Sequence, residues 1–209
     1  MHIIASILGL DVTTIELIIP AYHCLTEVEF AKQCIEEYKK VLAYYNTEDG
    51  TCTRWNLHEI FINCLSKRSD IRGQMVDSMR YFFTQQAMFV SKLNFCPYIE
   101  FKDIQSITDQ TEFAQKHKYL DTIKFDAADK CAIDVHKKCV KHYVELFSKE
   151  MKICDDVTSW INCYASESVN IGCDSEIVKH FSKMLKTVGN FVIREIRRHA
   201  GVECQKMEL

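Results

Sequence analysis

Hydrophobic residues recur every three or four positions along much of this chain, which is the spacing of amphipathic helices. The first clear stretch begins at Thr26, which precedes Glu29 by three residues as in a helix capping box. A polar, glycine-containing segment at 46–50 ends it. Its apolar positions are Ala31, Cys34, Ile35, Tyr38, Val41, Leu42 and Tyr45.

The same spacing predicts further helices on both sides of a less regular segment, 98–125, which we interpret as a connector with short helical pieces. A polar loop is predicted at 166–172, and Gly201 is a suitable stop for the last helix. The approximate bounds of the other predicted helices are 54–65, 69–93, 126–152, 155–163 and 174–200.

Composition favours the same fold class. The 209 residues include only two prolines and six glycines, too few for the frequent turns of an all-β fold. A hydrophobic fraction of 47% excludes a disordered chain. The net charge of -3 gives no reason to expect nucleic acid as a partner. The sequence therefore predicts an all-α helical bundle.

Two parts of the chain share an order of features, which predicts an internal repeat. A tyrosine follows the second cysteine of each by four residues (Tyr38 and Tyr143), and Ile-Asn-Cys ends both at Cys64 and Cys163. Coincidence is the alternative. We expect two related halves, each a helical hairpin plus a long helix. The expected segments are 1–23 (a leader or an N-terminal helix), 24–97 (first half), 98–125 (connector) and 126–209 (second half).

Eleven cysteines are the unusual feature of the composition. They form no C-x-x-C pair and no Cys/His cluster with zinc-finger spacing. Such a set is typical of a disulfide framework, which persists in secreted proteins and is rare in the cytosol. We therefore expect a secreted protein. No segment is long and apolar enough to span a membrane.

Hairpin geometry suggests disulfide partners, because residues equidistant from a turn face each other across two antiparallel helices. Connectivity remains a hypothesis at this stage, since sequence alone does not fix it. Cys24 is left unpaired. The expected pairs are Cys34–Cys64, Cys139–Cys163, Cys131–Cys173, Cys52–Cys96 and Cys154–Cys204.

The cysteine order, which opens with nine residues between Cys24 and Cys34, resembles that of a nematode-expanded family of secreted, cysteine-rich helical domains. The resemblance covers roughly Cys24 to Cys204 and rests on cysteine order and helical character. It implies an extracellular, all-α, disulfide-rich domain with no catalytic residue to carry over. A clear leader peptide is missing from residues 1–23, which departs from the family.

Candidate chemistry is sparse. His136 near Cys139 is similar to the helical histidine of secreted phospholipases A2, but no glycine-rich calcium loop occurs, and we expect a surface histidine. Cys131, His136 and Cys139 could be metal ligands, although disulfide pairing is preferred. Cys24 lacks neighbours suited to lowering a thiol pKa. We expect no enzyme, no cofactor and no metal.

Two surfaces are candidates for binding. The last predicted helix is basic and could bind acidic polysaccharide or lipid headgroups; its cations are Lys179, Lys183, Lys186, Arg194, Arg197, Arg198 and His199. The third helix is rich in Met and Phe, which predicts either core or an apolar pocket at Met79, Phe82, Phe83 and Phe89.

We expect an interaction module that binds an extracellular protein or polysaccharide. The alternative is a carrier of a small apolar ligand.

Overall fold

The computed structural model describes residues 25–44, 58–94, 100–122, 130–147 and 153–200, and these ranges contain helices without strands. The all-α prediction is confirmed. A 3-10 turn follows α5, and a π-helical segment, Leu185–Gly189, joins α8 to α9 in one rod. The helices are α1 Glu27–Tyr44, α2 His58–Ser66, α3 Gln74–Leu93, α4 Lys102–Asp109, α5 Glu112–His117, α6 Lys130–Phe147, α7 Ile153–Asn170, α8 Glu176–Met184 and α9 Asn190–Ala200.

Within the described ranges, three disulfide bonds join these helices, and each is a pair expected from hairpin geometry. Cys34–Cys64 joins α1 to α2 and Cys139–Cys163 joins α6 to α7, both with Cα atoms 5.6 Å apart. Cys131–Cys173 joins the start of α6 to the turn after α7. The other predictions, Cys52–Cys96, Cys154–Cys204 and an unpaired Cys24, depend on side chains outside the described residues.

Helix α3 runs through the centre of the bundle. Every side chain from Met75 to Val90 is buried except the half-buried Asp77. The helix packs against α1, α2, α4, α5 and the π segment with α9. Apolar residues on more than one side of a helix predict burial between neighbours, and the structure agrees.

The start of α3 differs from the sequence prediction, which placed it at 69–70. Residues 67–73 form a turn, and the helix begins at Gln74. The cause is the fully buried Arg80, whose guanidinium donates hydrogen bonds to the carbonyls of Leu65 (3.2 Å), Arg68 (2.7 Å) and Ile71 (2.7 Å). These bonds satisfy backbone groups that a helix would otherwise pair.

The loop predicted at 166–172 is also wrong, because α7 continues to Asn170. The hydroxyl groups of Ser166 and Ser168 bond to carbonyls four residues earlier, both at 2.8 Å, so serine is accommodated within the helix. The helix ends where Gly172 adopts φ 65°, with the Cys173 N–H donating to the Ser168 carbonyl. This is the Schellman arrangement, for which glycine is favoured.

Aromatic side chains from both predicted halves pack together in the core. Phe89 of α3 stacks on Phe181 of α8 with ring centroids 3.7 Å apart. The hydroxyl groups of Tyr38 in α1 and Tyr143 in α6 share a buried hydrogen bond. Both tyrosines lie one turn after a bridged cysteine in an 18-residue helix. The internal repeat itself stays a prediction.

Candidate functional site

The α8–α9 rod concentrates positive charge in an otherwise acidic chain. Residues 176–200 contain six lysines and arginines and two glutamates, whereas the whole chain has 26 lysines and arginines against 29 acids. Of the two glutamates, Glu195 is buried at 5% exposure. Four cations on the exposed side of the rod are named here the basic face: Lys183, Lys186, Arg194 and Arg198.

Local ion pairs compensate some of the cations that the sequence analysis named as a candidate binding surface. Lys179 pairs with Asp174 and with Glu176 (2.8 Å), and these hydrogen bonds raise the pKa of Lys179 while compensating its charge. The His199 ring nitrogen lies 3.5 Å from Glu195. Charges that are already paired contribute little to a new partner.

The basic face retains most of its charge. Arg194 lies 3.7 Å from Glu195 and places its guanidinium over the Phe191 ring at 4.7 Å. Within the described ranges, Lys183, Lys186 and Arg198 form no ion pair with a carboxylate. At the start of the rod, acidic neighbours therefore compensate the charge of Lys179. The basic face in the middle and at the end of the rod can still attract an anion.

The four side chains proposed for an apolar pocket lie in the core. Met79 and Phe89 are at most 1% exposed, and Phe82 and Phe83 are 5% and 7% exposed. Protein rings occupy the space beside them: Phe83 stacks on Phe61 at 4.5 Å and Phe82 meets Trp160 edge-on at 5.9 Å. These contacts favour the core interpretation over a ligand pocket.

The prediction of a surface histidine at 136 is wrong. His136 is fully buried, and its Nδ1 lies 2.8 Å from the Tyr164 hydroxyl. Burial, with a smaller contribution from nearby His58, lowers the pKa of His136 to about 3, so the ring is neutral near pH 7. Cys131 and Cys139 are held in disulfides and offer no thiolate to a metal. Among the described residues, no group of three potential ligands clusters.

A second buried histidine, His58, was missed by the sequence analysis. It lies among the rings of Tyr38, Tyr143 and Trp160 at centroid distances of 5.8, 5.3 and 6.2 Å. Burial lowers its pKa to about 3. The sequence signal is weak, because His58 stands at the first position of a short helix.

Two surface grooves flank α7. The groove between α7 and α8 has a volume of about 570 Å³, and its lining includes Val169, Gly172 and Lys179. The groove between α6 and α7 has a volume of about 730 Å³ and is lined almost entirely by polar side chains. One sequence signal points to the second groove: Asn162, Ser166 and Asn170 recur at four-residue steps, which places them on one helix face.

Comparisons with known proteins give no assignment. No family model, curated protein or solved structure matches the chain. Among the described residues, no helix has the length and apolar character needed to cross a bilayer.

Proposed function

We propose that this chain is an extracellular, disulfide-stapled helical module that binds an acidic polysaccharide through the basic face. The observation that carries the proposal is the segregation of charge onto one exposed helical rod in a chain of net charge -3. A charged surface of one sign concentrates partners of the other sign and speeds their association. Extracellular residence is supported by the three described disulfides, since cytosolic thiols are kept reduced.

The shape of the face favours a linear polyanion. Lys183 and Arg198 lie 15 residues apart on one rod, a separation of about 22 Å at helical rise. Protein interfaces are usually anchored by exposed aromatic or large apolar side chains. Among the described residues the exposed large hydrophobic ones are Tyr119 and Val169, and neither belongs to α8 or α9.

The alternative function, a carrier of a small apolar ligand, receives less support. It places the ligand beside Phe82 and Phe89, where Trp160 and Phe181 pack against those rings. A carrier needs an apolar cavity that the ligand can enter.

Isothermal titration with heparin, a sulfated polysaccharide, tests the proposal. Charge reversal in Lys183→Glu/Lys186→Glu should weaken binding at least tenfold. Wild-type affinity should fall steeply with added salt, because exposed charges are screened. The matched control is Lys32→Glu/Lys102→Glu, which has the same net charge and alters exposed lysines on α1 and α4.

The control should bind heparin nearly as well as the wild type. Equal weakening of both double variants would mean that net charge alone governs binding and would refute the basic face as the site. Binding to anionic lipid vesicles without binding to heparin would assign the face to a membrane surface instead.

A further inference from the structure

Four aromatic rings form a continuous row that begins at the basic face. Arg194, a member of that face, places its guanidinium over the Phe191 ring at 4.7 Å. Phe191 contacts Phe113 of α5, with ring centroids 5.1 Å apart. Phe113 stacks on His117 at 4.1 Å, and the His117 ring lies 6.3 Å from the Tyr119 ring. The four rings, named here the aromatic strip, are Phe191, Phe113, His117 and Tyr119.

The strip becomes more exposed towards Tyr119. Its other three rings are half-buried, whereas Tyr119 is 55% exposed. Among the described residues, Val169 on α7 is the other large hydrophobic side chain that is exposed. An isolated apolar residue on a surface is ordinary. Tyr119 differs from such a residue because it ends a row of rings that starts at a charged surface.

The segment that carries Tyr119 is held in place by the core. Tyr119 belongs to the 3-10 turn Lys118–Leu120, which packs against α8. The hydroxyl group of Tyr81 in α3 lies 2.8 Å from the His117 carbonyl and 2.8 Å from the Asp121 carboxylate, on either side of that turn. A surface that is ordered before binding loses less conformational entropy when it binds.

Cations border the aromatic strip at both ends. Arg194 lies at its start, and Lys116 and Lys118 are exposed next to Tyr119 in sequence. Within the described ranges, neither lysine forms an ion pair with a carboxylate. The strip therefore combines an exposed ring with positive charge.

This combination matches the chemistry of a sulfated sugar chain. A pyranose ring has an apolar face of C–H groups that can pack on an aromatic ring, while its sulfate groups project from the edge towards cations. Tyrosine suits such a contact, because it presents a large apolar face and a polar tip. Lysine is depleted in protein–protein interfaces, so lysines beside the ring favour a polyanion over a protein partner.

We propose that the aromatic strip extends the polysaccharide site, with one sugar ring stacked on Tyr119 and nearby sulfate groups paired with Lys116 and Lys118. The inference rests on the proposed function, since the same polysaccharide occupies the basic face. It adds a residue that distinguishes a sugar from a polyanion without sugar rings. Charge alone does not make that distinction.

Isothermal titration with heparin and with inorganic polyphosphate, a polyanion that lacks sugar rings, tests this role. Tyr119→Ala should weaken heparin binding at least fivefold and leave polyphosphate binding unchanged. The salt dependence of heparin affinity should also stay that of the wild type, because the lost contact is uncharged. Tyr119→Phe keeps the ring and should bind heparin nearly as well as the wild type.

Val169→Ala is the matched control, since it shortens the other exposed hydrophobic side chain, and it should leave both affinities unchanged. Both positions are exposed, so these variants should fold, which circular dichroism would verify. Equal weakening of heparin and polyphosphate binding by Tyr119→Ala would overturn the stacking role, and so would equal weakening of heparin binding by Tyr119→Phe and Tyr119→Ala.

The Lys183→Glu/Lys186→Glu variant separates this inference from the proposed function. If it loses heparin while Tyr119→Ala binds heparin like the wild type, the basic face stands and the stacking role is refuted. If wild-type protein does not bind heparin, both are refuted.

Discussion

Arg80 shows how one buried residue shapes the chain around it. Its guanidinium fixes three backbone carbonyls of the turn between α2 and α3 and pairs with Asp77 at 3.0 Å. Every one of these acceptors is local, within 15 residues in sequence. A buried charge is tolerated only when it is fully paired, and Arg80 meets that condition.

Replacing Arg80 with Met should destabilise the protein by about 3–5 kcal/mol, because the change removes the guanidinium that binds three turn carbonyls and leaves Asp77 with only the Gly73 N–H and the more distant Arg72 (3.8 Å). Urea unfolding followed by circular dichroism would measure the loss. Arg198→Met, at an exposed position on α9, is the control and should change stability by less than about 0.5 kcal/mol. Near-equal stability of Arg80→Met and wild type would contradict this account of the turn.

Residue-level predictions from sequence succeeded where a geometric rule applied. Cys34 and Cys64 face each other as hairpin symmetry requires. His136 was predicted at the surface because it lies about 100° around an ideal helix from Val135, outside the apolar face formed by positions 131, 135 and 139. Ala132 and Val140, four residues on either side of His136, are both buried, so the buried stripe of α6 is wide enough to include the histidine.

At the scale of elements, the π segment positions Gly189 where α9 begins. A π turn accommodates an extra residue in a helix and shifts the side chains that follow. A Cβ atom at Gly189 would lie 2.4 Å from Ile161 Cδ1 and 3.3 Å from the Phe82 ring. A side chain at this position therefore requires Ile161 to shift and leaves little space beside Phe82.

Gly189→Ala should destabilise the protein by about 1–3 kcal/mol despite the better helix propensity of alanine, because overpacking outweighs that gain. Adding Ile161→Val, which removes the clashing Cδ1 atom, should restore part of the loss. Thermal unfolding would compare the single variant, the double variant and Asn190→Ala as the exposed control. A Gly189→Ala protein more stable than wild type would show that Ile161 moves aside easily.

Helix existence was easier to predict than helix ends. The apolar stripes of α1, α3, α6 and α8–α9 are evident in the sequence, and the Thr26–Glu29 capping box forms with hydrogen bonds of 2.9 and 3.2 Å. The end of α7 and the start of α3 depended on tertiary contacts, through Gly172 and Arg80. The α6–α7 groove was not predicted, because it arises from two helix faces that only the fold brings together.

At the scale of the whole molecule, two neutral histidines in the core make stability depend on pH. The pKa of His58 and of His136 is about 3 in the folded protein, whereas an unfolded histidine titrates near 6.5. The unfolded state therefore binds more protons between these values. The contribution of these two histidines to the free energy of unfolding is therefore fully present above pH 6.5 and is lost as the pH falls towards 3.

Lowering the pH from 7 to 5 should cost about 2 kcal/mol of unfolding free energy for each of these histidines. Urea unfolding at pH 7, 6 and 5 would give the profile, and this range lies above most carboxylate titration. His58→Phe, which keeps an aromatic ring, should remove about half of the dependence. If the unfolding free energy of His58→Phe fell with pH as steeply as that of the wild type, the assignment of this pH dependence to His58 would be contradicted.

The placement of the three described disulfides also bears on how the chain folds under oxidising conditions. Each bond closes a loop within one half, with sequence separations of 30, 42 and 24 residues. The six cysteines of these described bonds could pair with one another in fifteen ways, but confining each bond to its own half leaves three, since two of the six lie in the first half and four in the second. Each of the three described bonds therefore joins residues close in sequence, and Cys34–Cys64 can form in a nascent chain before the second half is synthesised.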